Sequence, residues 1–130
     1  MFLANQDLRA KEIINEKSIQ NALRVVAALG GSSNYVLHIL AIAESAGIHL
    51  TLDDINEINS TTPLLAALAP NGPQSVVELD RAGGVPAVMR ELKSLLHLDA
   101  MTITGKTLEE NLESAGEADH SVVAKFEEPL

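Results

Sequence analysis

Two glycines and three small polar residues, Gly30-Gly31-Ser32-Ser33-Asn34, run straight into the apolar stretch that begins at Tyr35. A helix N-terminus leaves backbone N–H groups unpaired and carries partial positive charge, so a glycine turn ending in Ser or Asn can cradle a carboxylate or a phosphate. Ser32, Ser33 and Asn34 are therefore candidate binding residues, although the same residues can simply start a helix. His38 follows Asn34 by one helical turn, and Ser45 extends that face as a narrow polar line, which makes His38 a candidate ligand or substrate contact. Its alternative is a hydrogen-bonded histidine in a core or an interface. Gly30 and Gly31 read as a structural turn that permits close packing. Gly83-Gly84-Val85-Pro86 reads as a tight corner between helices, or as a second anion-binding helix start.

Other chemistry finds less support. Gly105-Lys106-Thr107 invites a phosphate-loop reading, but that motif needs a glycine where the chain has Ala100 and a buried strand before it, whereas Ser94–His97 reads as a helix end. The four histidines, His38, His49, His97 and His120, lack the close helical spacing of two metal ligands on one face, so no local metal motif is present. Asp53-Asp54 and Glu109-Glu110 fall in first turns of helices, where the helix dipole accounts for them. The chain contains no cysteine, which removes disulfides, thiolate nucleophiles and cysteine-ligated clusters from it. No catalytic residue is assigned.

With 130 residues there is room for one domain and a core. A net charge of −9 disfavours nucleic acid and anionic membranes as partners. Residues 1–7 lack the basic start and long apolar centre of a signal peptide, so a cytoplasmic protein is expected. The longest apolar run, Tyr35 to Ala43 around His38, is far below the ~20 residues of a membrane span. An aromatic content of 2% leaves the core to Leu, Ile, Val and Ala, which suits closely packed helices.

The elements that must position these residues follow from apolar spacing and stop signals. Ile19, Ala22, Leu23, Val26, Ala27 and Leu29 predict a helix from Ser18 to Leu29, halted by Gly30-Gly31. A second helix is predicted from Ser33 to Ala46; it is apolar nearly all round and should be the most buried element. Short helices are expected over 52–59, after a Thr51/Asp54 capping box, and over 63–68, opened by Pro63. Ser75 should cap 76–82, Pro86 should open a helix through Leu96, and Thr107/Glu110 should box a helix to Leu112. Residues 101–104 and 122–126 could be short strands. The expected fold is mainly α, a compact bundle of short helices.

These pieces together resemble the dihydroxy-acid and sugar-acid dehydratases. The family segment is similar to Ala28-Leu29-Gly30-Gly31-Ser32-Ser33-Asn34 with His38 and Ala41-Ile42-Ala43; Ser33 stands where the family commonly has Thr, which keeps the hydroxyl. The order continues through Ala46-Gly47-Ile48, Leu50–Asp54, Arg81–Met89, Leu95-Leu96-His97 and Thr102–Leu112. Thr104–Thr107 and Pro86–Met89 resemble the dihydroxy-acid branch more than the phosphogluconate branch.

The resemblance implies a hydro-lyase that removes water from a 2,3-dihydroxy carboxylate, a branched-chain amino acid precursor or a sugar acid, to give a 2-oxo acid. It implies an iron–sulfur cluster and magnesium in the parent protein, with no cofactor ligand in this chain. Residues 1–99 would then be a helical part of the parent's α/β N-terminal domain and 100–130 a connector to an absent C-terminal domain. The partners implied are the rest of the dehydratase and its small dihydroxy-acid substrate, and removal of a neighbouring domain would favour homo-oligomers. Two competing readings are a free-standing helical interaction module without catalysis and a small anion-binding protein using residues 30–34.

Overall fold

Asn15 Oδ1 accepts from the Ser18 N–H at 3.1 Å, and Ser18 Oγ accepts from the Asn15 N–H at 3.0 Å. This reciprocal pairing starts the longest helix. In the computed structural model, which describes residues 7–130, that helix is α2, Glu16–Ala28, and it follows a single turn, α1, Ala10–Ile13. Then come α3, Tyr35–Ser45; α4, Leu52–Ser60; α5, Val76–Arg81; α6, Gly84–Glu91; a 3₁₀ turn, Lys93–Leu95; and α7, Leu108–Glu113. The fold is mainly helical. The reading of residues 1–6 as free of a signal peptide lies outside the described residues.

Three capping boxes fix where the later helices begin. Thr51 and Asp54, Ser75 and Glu78, and Thr107 and Glu110 each pair an N-cap hydroxyl with the N–H three residues on and return a carboxylate to the N-cap N–H. All three carboxyls are held below their ordinary range. The Thr51 hydroxyl and then its N–H lower Asp54, while the Ser75 and Thr107 N–H groups, then their hydroxyls, lower Glu78 and Glu110. The unfolded chain therefore binds more protons than the folded one as these groups titrate. Their contribution is complete above the ordinary carboxylate values and is lost as pH falls through the lowered ones. Urea midpoints measured from pH about 6 down to about 3 should fall with pH, and Glu78→Gln should make that decline shallower; an identical decline in the variant would refute the assignment.

α2 divides two cores. Its Ile19 and Leu23 pack with Ala43 and Ile55, against Ile39 and Leu40 of α3 and Ile58 of α4. Its Val25 and Ala28 join Leu65, Leu79, Val88, Leu92, Leu112 and Val123 in the larger core. Buried Asn21, also on α2, ties the 3₁₀ region down: its Nδ2 donates to His97 O at 3.0 Å and its Oδ1 accepts from the His97 N–H at 2.8 Å. The C-terminal stretch is built into the larger core as well. Arg90 Nη1 donates to the Ala115 and Gly116 carbonyls, and Glu91 accepts from the Phe126 N–H at 3.0 Å.

Several expectations are corrected. Residues 63–68 form no helix, because Leu65 and Ala66 direct their N–H groups at the Ala28 carbonyl, at 2.8 and 3.1 Å, and complete the end of α2. On the other side of the same segment, Leu65 O accepts from the Ala124 N–H at 2.7 Å. The helix expected from Pro86 begins earlier, at Gly84, and gives way after Glu91 to the 3₁₀ turn. Residues 101–104 and 122–126 are not strands: Met101 makes one isolated bridge to Thr107. The N–H groups of Val122 and Val123 both turn back on Asp119 O. The largest departure is α3, whose only buried residue is Ala43. Its helical extent matches the expectation closely, but among the described residues only one of its sides is covered.

Candidate functional site

Leu29 closes α2 and Gly30 turns the chain at φ +61°, a left-handed conformation that costs a side-chain-bearing residue energy and glycine none. Gly31 then lies so close to α2 that a Cβ would fall 2.5 Å from Val26 Cγ1. The two glycines thus press the following serines against the end of α2. Tyr35 and Val36 donate their N–H groups to Ser32 O and Ser33 O at 3.2 and 3.1 Å, so a backbone turn starts α3. Asn34, in helical conformation, caps nothing with its side chain. Among the described residues, the Ser33 hydroxyl has no hydrogen-bond partner, and Ser32 Oγ accepts only a long contact of 3.4 Å from the Asn34 N–H.

Opposite this turn stands a second one, residues 68–74. Leu68 O accepts from the Asn71 and Gly72 N–H groups at 2.9 and 3.0 Å, and Ala69 donates to Gln74 O at 2.8 Å. Asn71 Nδ2 reaches across to Gly30 O at 2.8 Å and locks the two turns together. Between them is a groove of about 540 Å³ lined by Val26, Leu29, Gly30 to Ser33, Leu68 to Asn71 and Val76. Its walls are apolar, its polar groups are two exposed hydroxyls and an amide, and no titratable side chain lines it. Such a surface can bind and orient a small hydroxylated molecule but has no group of its own to move a proton.

The candidate residues divide between two places. Ser32 and Ser33 line this groove, while His38 and Ser45 line a different one, between α1 and α3. Asn34 lies exposed at the junction and lines neither. Gly83, at φ +107°, is the N-cap of α6, and a Cβ there would meet Ala87 Cβ at 2.8 Å; Gly84 follows at φ +65°. No local sequence pattern singles out Asn71, because its contact spans 41 positions. The residues present do not fit an iron–sulfur cluster or a magnesium site. The chain has no cysteine, and among the described residues no three His, Asp or Glu side chains converge.

The family described as dihydroxy-acid/6-phosphogluconate dehydratase N-terminal matches residues 1–111. The chain belongs to this family. The dihydroxy-acid dehydratase of Cytophaga hutchinsonii is 46% identical over 134 residues, covering 100% of the chain and 24% of that protein. Those of Acetivibrio thermocellus and Ruminiclostridium cellulolyticum are 48% and 47% identical, over 98% and 99% of the chain and 23% and 24% of their own lengths. This dehydratase-family chain therefore spans about a quarter of the length of the curated relatives it matches. The family match ends inside α7, so the two turns that form the groove and the whole of α3 lie within it. No helix among the described residues is long and apolar enough to cross a membrane.

Proposed function

We propose that this chain is a helical scaffold at the edge of the active-site cleft of a hydro-lyase, which converts a 2,3-dihydroxy carboxylate to a 2-oxo acid in the cytoplasm. The observation that carries the reading is the likeness to dihydroxy-acid dehydratases along essentially the whole chain. The reaction removes the proton at carbon 2 and the hydroxyl at carbon 3, and the resulting enol becomes the oxo acid. A groove without titratable groups supplies shape and hydrogen bonds to such a molecule, not the base. The base, the iron–sulfur cluster and magnesium would come from the remainder of the dehydratase, and the chain alone is inactive on this reading. Ser32, Ser33 and Asn34 would border the substrate, with the free Ser33 hydroxyl the best placed to contact it.

The first test is turnover of a 2,3-dihydroxy carboxylate by this chain and by the longest protein its source gene encodes; activity confined to the longer protein is expected, and none in either would overturn the proposal. Within that active protein, Ser33→Ala should raise KM about tenfold through the loss of one hydrogen bond, worth about 1.4 kcal/mol. Unchanged kcat and KM together with a lower Tm would show that Ser33 serves the fold and not the substrate.

A further inference from the structure

The outward side of α3 carries Leu37, 74% exposed, and Ile42, 45% exposed, and across a groove of about 490 Å³ stands Ile14, 40% exposed, just past the end of α1. Between them Ala41 and Ser45 form a floor of small side chains one turn apart, with Ser45 Oγ returned to Ala41 O at 2.8 Å, and His38 stands at one end. A helix apolar nearly all round belongs in the middle of a larger body, yet among the described residues α3 packs only its Val36, Ile39, Leu40 and Ala43 side. Small residues flanked by large apolar ones shape a surface that accepts the ridge of another helix at close range.

We infer that this face docks an apolar helix from the part of the dehydratase polypeptide outside the matched quarter, so that α3 is an internal helix of the assembled protein. The inference rests on the dehydratase reading above. About three quarters of each relative's length lies outside the region this chain matches, which supplies ample chain to cover the face. A second copy of the chain is the poorer occupant, because each copy carries a net charge of −9 and pairing would bring like charge together. Position supports the same choice. α3 starts at the serines of the substrate groove, so a body that completes that groove reaches α3 too.

Hydroxyl-radical footprinting of Leu37, His38 and Ile42 tests this, in the isolated chain and in the Cytophaga hutchinsonii dehydratase carrying this chain in place of its matched quarter. Strong labelling in the isolated chain and its near-complete loss in the folded chimera are expected. Equal labelling in both would overturn the inference. If the chimera does not fold, the same footprint on the unaltered Cytophaga enzyme, read at its matched helix, decides in the same way. Labelling already lost in the isolated chain, and restored by Leu37→Glu together with conversion of a dimer to a monomer, would make the second copy the occupant and overturn it too. A folded chimera that protects α3 but does not turn over a dihydroxy acid would sink the dehydratase reading and leave the docking face standing.

Discussion

Gly72→Ala should destabilise the chain by about 3 kcal/mol, more than its small change in volume suggests. A Cβ at this position would lie 2.1 Å from the Ala67 carbonyl oxygen and 2.3 Å from Ala67 Cβ. Neither is the end of a flexible side chain. Ala67 O also accepts from the Gln74 N–H at 3.3 Å, so relief by moving this carbonyl disturbs the turn that carries Asn71. The groove should open with it, because Asn71 is what ties this turn to Gly30. Gly47→Ala is the control: its φ is +72° but nothing lies within 4 Å of the added methyl, so only the left-handed penalty of about 1 kcal/mol applies. Urea titration measures both; equal midpoints for the two variants would show that the Ala67 contact carries no weight.

Leu65→Ala should cost about 3–4 kcal/mol, a fall in Tm on the order of 12 °C. Its side chain is fully buried in the larger core, and its own backbone is held on both sides, by the Ala28 carbonyl and the Ala124 N–H. A segment pinned in this way cannot collapse into the space the side chain leaves, which places the cost above the minimum for a buried leucine. Thermal denaturation gives the number directly. A loss of less than about 1 kcal/mol would mean that the segment relaxes and that its hydrogen bonds do not fix it.

The contrast between this segment and the capped helices shows what could be read from the residues. Thr51 with Asp54 and Thr107 with Glu110 announce their helices because both partners of a capping box lie within one turn of chain. Pro63 announces a helix in the same local terms, yet Leu65 and Ala66 form hydrogen bonds with α2 and the C-terminal stretch, partners that no local pattern names. The groove divides the same way. Its glycine turn and serines stand together in sequence, whereas its other wall and the Asn71 bridge come from residues some forty positions away. His38 shares a helical face with Ser45, as its spacing implies, but the two line a different groove from the serines.

The sequence by itself determined the helical class, most helix starts and the dehydratase family, because caps, apolar periodicity and an ordered series of short motifs are local properties. The tertiary structure alone decided that α2 separates two cores, that residues 64–66 bridge α2 and the C-terminal stretch through backbone hydrogen bonds, and that the described residues cover only one side of α3. These outcomes depend on which distant backbone and apolar groups find one another. Apolar content states how much surface must be covered and leaves open what covers it; among the described residues, α3 is covered on one side only.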